Sequence, residues 1–283
     1  MNNYVQGSAE WLAMRKDKIM ASDAPVIDGV SPYATPYKLW EQKLGLATIE
    51  PQSFAMRRGL ALEDQARQEL EKKTGLFFLP QVVFHKEIKW MGCSLDGIDP
   101  EGRHIAEIKC PNKEDHSIAL SGRVPEKYIP QLQHQMEVCQ VDMSYYFSFD
   151  GKEGVLVIIY RDDNYIKKLI KKEENFWECL QSLEPPELIE RDFIVKTDQS
   201  WCEAASEWNL ISRQLKELEA KEKAAKESLV AMSSNQNCIG AGVKLSRVLR
   251  KGNVDYSAIP ELKSLDLENY RKKSSVYYKL SIS

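Results

Sequence analysis

Hydrophobic residues gather in five short stretches of the chain bounded by polar and turn residues, a pattern typical of β-strands. The last two stretches are joined by Asp150-Gly151, a residue pair favoured in hairpin turns. Elsewhere apolar residues recur at spacings of three and four, which predicts helices before, between and after the strands. The pattern therefore predicts an α/β core with a mixed central β-sheet flanked by helices. The predicted strands are residues 79–85, 88–95, 104–110, 143–149 and 154–160.

Beyond the last predicted strand the pattern becomes mainly helical. The helix in DDNYIKKLIKKEENFWECLQSL is closed by Glu184-Pro185-Pro186, which marks a boundary because proline disfavours helix continuation. Residues 200–232 predict one long helix with a heptad-like seam, and a hairpin turning at Lys251-Gly252-Asn253 and a terminal strand are expected after it. The expected parts are a core over 1–183, a Pro-Pro linker and long helix over 184–235, and a basic appendage with small β structure over 236–283.

Two carboxylates and a lysine occupy neighbouring predicted strands. Asp96 precedes the turn signal at residues 99–102, and Glu107 and Lys109 lie on the returning strand, where alternation puts both on one face. Carboxylate oxygens suit Mg²⁺, and a lysine side chain can orient a water that attacks a phosphodiester or, as a neutral amine, deprotonate it. The pattern predicts a hydrolytic metal site. A solvated Glu/Lys pair on an edge hairpin is the alternative that so short a motif leaves open.

Five strings, taken in order, resemble the YqaJ-like and lambda exonuclease family of the PD-(D/E)XK nuclease superfamily. The resemblance covers roughly the first 200 residues. It implies a restriction-endonuclease-like core and a DNA hydrolase that uses Mg²⁺, with Mn²⁺ as the alternative and two ions per site. The strings are WLAMRKDKIMAS, RGLALEDQAR, GCSLDGID, AEIKCP and YIPQLQHQMEV.

The resemblance also assigns roles to particular residues. The implied metal ligands are Asp96, Glu107, Glu63 and the backbone carbonyl of Ile108, and the residues implied to place the water or the scissile phosphate are Lys109 and Gln131.

The residues themselves leave other interpretations open. Gln135 lies one turn after Gln131 on a similar helix face and is the alternative glutamine. Glu63 is one turn from Arg67 and would pair with it if it had no role at the metal. His134 is interpreted as a hydrogen-bonded helix residue rather than a general base.

The string RKDKIMASDAP predicts a helix that starts at Ser-Asp, and such an N-terminus offers backbone amides to an anion. A capping serine and a solvated arginine are the alternative. In lambda-type exonucleases the arginine and the serine of this string hold the terminal 5′-phosphate of DNA. The resemblance therefore implies that Arg15 and Ser22 bind this phosphate.

Composition narrows the class of protein. With 43% hydrophobic and 29% charged residues in 283, the chain is expected to be globular, and it has no apolar run that could cross a membrane and no signal-peptide pattern. An intracellular protein of a phage, prophage or bacterial host is expected. Six scattered cysteines argue against zinc, an iron-sulfur cluster and a disulfide framework. The net charge is −3, but from Lys244 onward nine Lys or Arg stand against four Asp or Glu, so the tail is basic.

These observations lead to the hypothesis of a metal-dependent 5′-to-3′ exonuclease on double-stranded DNA ends, leaving 3′ overhangs for recombination by strand annealing. The enzyme alternatives are a structure-specific endonuclease and a 3′-directed nuclease of the same superfamily. A DNA-binding or annealing module that uses the basic tail is the non-enzyme alternative. The expected partners are duplex DNA ends, a single-strand annealing protein and further copies of the chain, because lambda-type members form ring trimers.

Overall fold

The computed structural model of the protein describes residues 8–47 and 54–250, together with residues 252, 259, 260, 262 and 265. The chain divides into two compact units, Met1–Ile194 and Val195–Ser283. The first unit contains the central sheet and every residue that the sequence implicates in metal or phosphate binding.

A mixed β-sheet forms the centre of the first unit. Its strands are β1 (Ile19–Met20), β2 (Leu79–Phe84), β3 (Met91–Ile98), β4 (Ile105–Lys109), β5 (Met143–Phe149) and β6 (Gly154–Tyr160). The order is β1-β3-β4-β5-β6, and β2 also pairs with β3. β4 and β5 are parallel, whereas β3–β4 and β5–β6 are antiparallel. The predicted α/β class with a mixed central sheet is confirmed.

The strands follow the predicted ranges with one shift. β5 and β6 coincide with their predictions, and β2 and β4 lie within theirs. The range 88–95 is wrong at both ends, because β3 begins at Met91 and continues to Ile98. The His85 ring accepts hydrogen bonds from the amides of Glu87 and Ile88, so the chain turns there before it can pair. The sequence does not predict β1, because two residues are too few to show an alternation.

Helices α4 and α6 contact opposite faces of the sheet. The helices of the first unit are α1 (Ala9–Lys16), α2 (Ala24–Asp28), α3 (Pro36–Lys43), α4 (Phe54–Thr74), α5 (Lys113–Leu120), α6 (Ile129–Cys139) and α7 (Asp163–Ser182). Leu70 of α4 belongs to the same buried cluster as Ala106, whereas Met136 of α6 belongs to that of Ile105. Because side chains alternate along a strand, Glu107 shares the face of Ile105 and points toward α6.

A buried ion pair joins α6 to α7 on the α6 side of the sheet. His134 Nδ1 lies 2.7 Å from Glu173 Oε1, and His134 Nε2 lies 2.9 Å from the carbonyl oxygen of Gly92 in β3. Burial by itself would lower the pKa of His134, but the negative charge and hydrogen bond of Glu173 more than offset this and raise it. A raised pKa means that the pair stabilises the fold fully below the usual histidine pKa, and the stabilisation is lost as pH rises through the raised value.

Replacing Glu173 with glutamine is expected to destabilise the protein by about 1.5–3 kcal/mol at acidic pH, the usual contribution of a hydrogen bond to a charged group. The loss should shrink above the pKa of His134, where the wild-type histidine is neutral as well. Urea unfolding at about pH 5.5 and about pH 9 brackets the usual histidine pKa of about 6.5. Glu174→Gln, which removes an exposed carboxylate from the same helix, is the control. An equal loss at both pH values would contradict this assignment.

The second unit consists of a long helix followed by a short hairpin. Helix α8 (Gln199–Met232) agrees with the predicted range of 200–232, and the side chain of Asp198 caps its first turn. β7 (Cys238–Gly240) pairs with β8 (Val243–Leu245). The predicted turn at 251–253, apart from Gly252, and the predicted terminal strand lie outside the described residues. Within the part of the chain that the structure describes, no helix is long and apolar enough to span a bilayer.

Candidate active site

Glu107 lies at the centre of a polar cluster on the β4 face that points toward α6. It is 2% exposed. Its Oε1 accepts hydrogen bonds from Lys109 Nζ at 2.5 Å and Gln131 Nε2 at 2.6 Å, and its Oε2 accepts one from Gln135 Nε2 at 2.5 Å. A carboxylate so remote from water needs such donors, because burying an unpaired charge is strongly unfavourable. The three donors therefore fix the orientation of this carboxylate.

Asp96 is brought next to Glu107 where β3 and β4 cease to pair. The two strands pair at Gly97–Ala106 and at Ile98–Ile105. Further along β4, the amide of Ile108 donates to the side chain of Asp96, at Oδ2 and 2.8 Å, and not to the backbone of β3. Since the N–H and C=O of one strand residue point to the same side, the carbonyl of Ile108 also points toward Asp96. Carboxylate and carbonyl oxygens thus border the opening between the strands.

The charges of this cluster shift one another's pKa. Burial, followed by the charge of Glu107, raises the pKa of Asp96 well above its usual value, although Lys109 acts against this. Burial would lower the pKa of Lys109, but Glu107 and Asp96 outweigh it and raise that pKa, so the side chain is an ammonium ion. An ammonium ion can orient a water or stabilise a phosphoryl oxygen, but it cannot accept a proton. Orientation is therefore the role that suits Lys109 here.

Both glutamines left as alternatives by the sequence reach Glu107. Gln131 and Gln135 lie one turn apart on α6, and each donates to a different oxygen of the carboxylate. Gln131 also lines the cavity beside Asp96, whereas Gln135 is fully buried behind it. His134 lies in the buried pair with Glu173, which agrees with its interpretation as a hydrogen-bonded helix residue.

Glu63 lies near this cluster but does not line the same cavity. It is half-buried on α4, and its pKa is raised by burial first and then by the charges of Asp64 and Glu107, against the lowering effect of Arg67. Arg67 forms its ion pair with Asp64, not with Glu63. The charges of Glu63 and Glu107 therefore interact, although Glu63 does not line the cavity.

Arg15 and Ser22 open into the same cavity as Asp96 and Glu107. This cavity has a volume of about 150 Å³. Arg15 Nη2 donates to Ser22 Oγ at 2.8 Å, and its guanidinium lies 4.5 Å from the centre of the Trp11 ring. The lining residues are Trp11, Arg15, Met20, Ser22, Ser94, Asp96, Glu107, Lys109 and Gln131. The fold thus joins the two groups of residues that the sequence predicts separately.

Trp11 is a lining residue that the sequence argument misses. Its indole Nε1 is buried and has no hydrogen-bond partner among the described residues. The signal was present in the chain, because Trp11 and Arg15 are four residues apart and share one face of α1.

A helix does start after Ser22-Asp23, with Asp23 at its N-cap position, but it is short and lacks a side-chain cap. α2 begins at Ala24 and has only five residues, and the Asp23 side chain does not cap it. Asp23 Oδ2 instead accepts hydrogen bonds from the amide of Met20 and from Lys43 Nζ, while Lys43 also donates to the carbonyl of Arg15. This buried Lys43–Asp23 pair therefore holds the backbone between Arg15 and Ser22.

The donor set suits a hard divalent cation. Carboxylate oxygens of Asp96 and Glu107 and the carbonyl of Ile108 are the oxygen ligands that Mg²⁺ prefers. Among the described residues, no three His, Cys, Asp or Glu side chains form a group that could hold a metal. Mg²⁺ does not require one, because it keeps several waters and commonly binds through one or two carboxylates and substrate phosphates. The residues therefore fit Mg²⁺ better than zinc, which takes three or four protein ligands.

The family assignment rests on the segment that contains this site. Residues 10–142 match the sequence model of the YqaJ-like viral recombinase domain. This segment is therefore similar to the YqaJ-like domain. The uncharacterized protein YqaJ of Bacillus subtilis (strain 168) is 31% identical over 174 residues, which are 59% of this chain and 54% of that protein. The chain thus spans about half the length of this curated relative. The resemblance inferred from the five strings is confirmed.

Solved structures share the fold of the YqaJ-like domain. An alkaline exonuclease from Laribacter hongkongensis, LHK-Exo, is 26% identical, with a TM-score of 0.54. The same protein in complex with dAMP gives a TM-score of 0.55 at the same identity. Each match covers 62% of this chain and 93% of the other. The predicted restriction-endonuclease-like class is therefore confirmed.

Proposed function

We propose that this chain is a metal-dependent exonuclease that digests double-stranded DNA from its 5′ ends and leaves 3′ single-stranded overhangs. The observation that carries the proposal is the shared cavity, in which Arg15 and Ser22 face the same space as Asp96 and Glu107. A nucleotide spanning this cavity would present one phosphate to each end. The likeness to LHK-Exo, an alkaline exonuclease solved with dAMP, supports a mononucleotide as the leaving product.

The hydrolytic end of the cavity would bind the scissile phosphate. Asp96, Glu107 and the carbonyl of Ile108 would hold Mg²⁺, with Glu63 acting on a second ion or its waters. When bound, Mg²⁺ lowers the pKa of a bound water and neutralises phosphoryl charge. Lys109, held by Glu107 Oε1, presents its positive charge to the reacting phosphate. Gln131, fixed by the same carboxylate oxygen, orients the water or a phosphate oxygen.

The other end of the cavity would bind the terminal 5′-phosphate. Within the part of the chain that the structure describes, no carboxylate forms an ion pair with Arg15, whose partner Ser22 is neutral. The guanidinium charge is thus available to an anion, and arginine suits phosphate because it can donate two parallel hydrogen bonds. Binding the terminal phosphate would set both the polarity and the length of the product.

Assembly and partners are part of the same proposal. A trimer would enclose the DNA and keep the enzyme on it, and the 3′ overhangs would be substrates for a single-strand annealing protein. Size-exclusion chromatography with light scattering would measure the number of copies.

A linear duplex with a 5′-phosphate is expected to be degraded to 5′-mononucleotides about 10- to 100-fold faster than one with a 5′-hydroxyl. This range corresponds to the loss of a charge-assisted hydrogen bond. Covalently closed circles should stay intact, and chelation of divalent metal should stop the reaction. Arg15→Ala should remove the preference by slowing only the phosphorylated substrate. The measurement is the initial rate on duplexes labelled at either end.

The control for Arg15→Ala is Lys16→Ala, which removes an exposed positive charge from the next position of α1. It should leave the preference unchanged. Linearised circles would instead indicate an endonuclease, and release of the 3′ label first would indicate a 3′-directed nuclease. Tight DNA binding without hydrolysis under all metal conditions would indicate a binding or annealing module.

A further inference from the structure

A second cavity of about 140 Å³ adjoins the catalytic cavity. The two share Ser22 from the phosphate end and Gln131 from the hydrolytic end, so the second cavity borders the whole span between them. None of its other lining residues belongs to the catalytic cavity. Those other lining residues include Ser31, Pro32, Tyr33 and Lys127.

Tyr33 presents an exposed aromatic ring at this cavity. It is 75% exposed, although aromatic rings of this size usually bury most of their surface. Its hydroxyl accepts a hydrogen bond from Lys127 Nζ at 3.1 Å, and the same ammonium lies 5.3 Å from the centre of the ring. The ring is therefore held in place while its surface remains available.

The charge of Lys127 is already balanced. Its Nζ lies 2.6 Å from Asp115 Oδ2, in addition to its contact with Tyr33. A lysine paired in this way adds little net positive charge to the cavity, and the rest of its lining is uncharged: serines, prolines, tyrosine rings and the amide of Gln131. Such a surface suits a neutral flat ring better than a second phosphate.

The loop that carries Tyr33 is fixed from a distant part of the first unit. Arg191 Nη1 donates to the carbonyl of Ser31 at 3.1 Å, and Arg191 Nη2 donates to that of Pro32 at 3.0 Å. The hydroxyl of Thr35, just beyond the loop, donates to Asp192. These contacts fix the backbone of the Tyr33 loop in the absence of a ligand, so the binding surface is preorganised.

We propose that this second cavity receives the base of the 5′-terminal nucleotide, stacked on Tyr33 without regard to its identity. This rests on the proposed function, since it assumes the 5′-phosphate at Arg15 and the scissile phosphate at Asp96. The sugar between these phosphates would lie along Ser22 and Gln131, which puts the base at the cavity they border. Tyr33 then acts as a substrate-binding residue, with Lys127 and Arg191 as positioning residues.

The test pairs a variant with a matching change in the substrate. Tyr33→Ala should lower kcat/KM by about 10-fold or more on an ordinary 5′-phosphorylated duplex, the usual effect of losing one base–aromatic stack. On a duplex whose terminal nucleotide is abasic, the same variant should be as active as the wild type. Tyr33→Phe, which keeps the ring but loses the hydrogen bond of Lys127, should still cleave the ordinary duplex faster than the abasic one. Equal losses by Tyr33→Ala on the two substrates would overturn the proposal.

A binding measurement separates this proposal from the proposed function. By calorimetry in Mg²⁺, the wild type should bind dAMP at least about 10-fold more tightly than 2-deoxyribose 5-phosphate, and Tyr33→Ala should bind the two alike. Tyr160→Ala, which removes another exposed tyrosine of the same unit, should keep the difference. If no hydrolysis occurs but this difference is found, only the proposed activity fails. If DNA is hydrolysed but Tyr33→Ala keeps the difference, only the base site fails.

Discussion

A Lys109→Met protein is expected to cleave DNA about 100- to 1000-fold more slowly than the wild type, the usual cost of removing one group that stabilises transition-state charge. Lys109 is held 2.5 Å from Glu107 and faces the cavity that would hold the scissile phosphate. Methionine occupies a similar volume without charge. Gln131 and Gln135 still donate to Glu107, so the fold should persist.

The measurement is the single-turnover rate on an end-labelled linear duplex, with DNA affinity and the melting temperature measured in parallel. Lys73→Met, at an exposed position of α4, removes the same charge away from the cavity and should match the wild type. If the cleavage rate of Lys109→Met were within a few fold of the wild-type rate, Lys109 would have no role in the reaction. If DNA affinity fell by the same factor as the rate, Lys109 would stabilise the bound substrate and the transition state equally.

An Asp96→Asn protein is expected to be inactive and, without metal, more stable than the wild type. The half-buried carboxylate of Asp96 and the buried one of Glu107 repel each other. The substitution removes one charge, while the asparagine oxygen can still accept the hydrogen bond of Ile108. Each kcal/mol gained should raise the melting temperature by about 2–4 °C in a protein of this size. Added Mg²⁺ should stabilise the wild type and have little effect on the variant, because it would lack a ligand.

The stability of the metal-free protein should also depend on pH in a definite direction. Because the pKa of Asp96 is raised in the folded state, the native protein binds more protons than the unfolded chain above the usual aspartate pKa, and stability falls as pH rises through that interval. The fall should begin at about pH 4, where an ordinary aspartate ionises. It should be smaller in Asp96→Asn. Urea unfolding in chelator across this range measures it, with the exposed Glu101→Gln as control. A metal-free variant less stable than the wild type at neutral pH would refute the argument.

The residues proposed to bind the metal can be predicted from the sequence because they lie close together along the chain. Asp96, Glu107 and Lys109 lie on two strands joined by a short turn, and period-two alternation puts Glu107 and Lys109 on one face. Glu63 shows the limit of such reasoning. A helical period identifies the face of α4 that packs on the sheet, but the distance of one side chain from the cavity depends on how the helix lies over the strands.

Local pattern by itself determined most strands, the long helices and the Asp96–Glu107–Lys109 group, because backbone periodicity and turn chemistry act over a few residues. Tertiary structure alone decided that both Gln131 and Gln135 bind Glu107, and that Arg15 and Ser22 share its cavity. It also placed Lys127 on the ring of Tyr33, 94 residues earlier in the chain. Such contacts depend on the packing of whole elements against the sheet, and side-chain spacing along the chain carries no record of that packing.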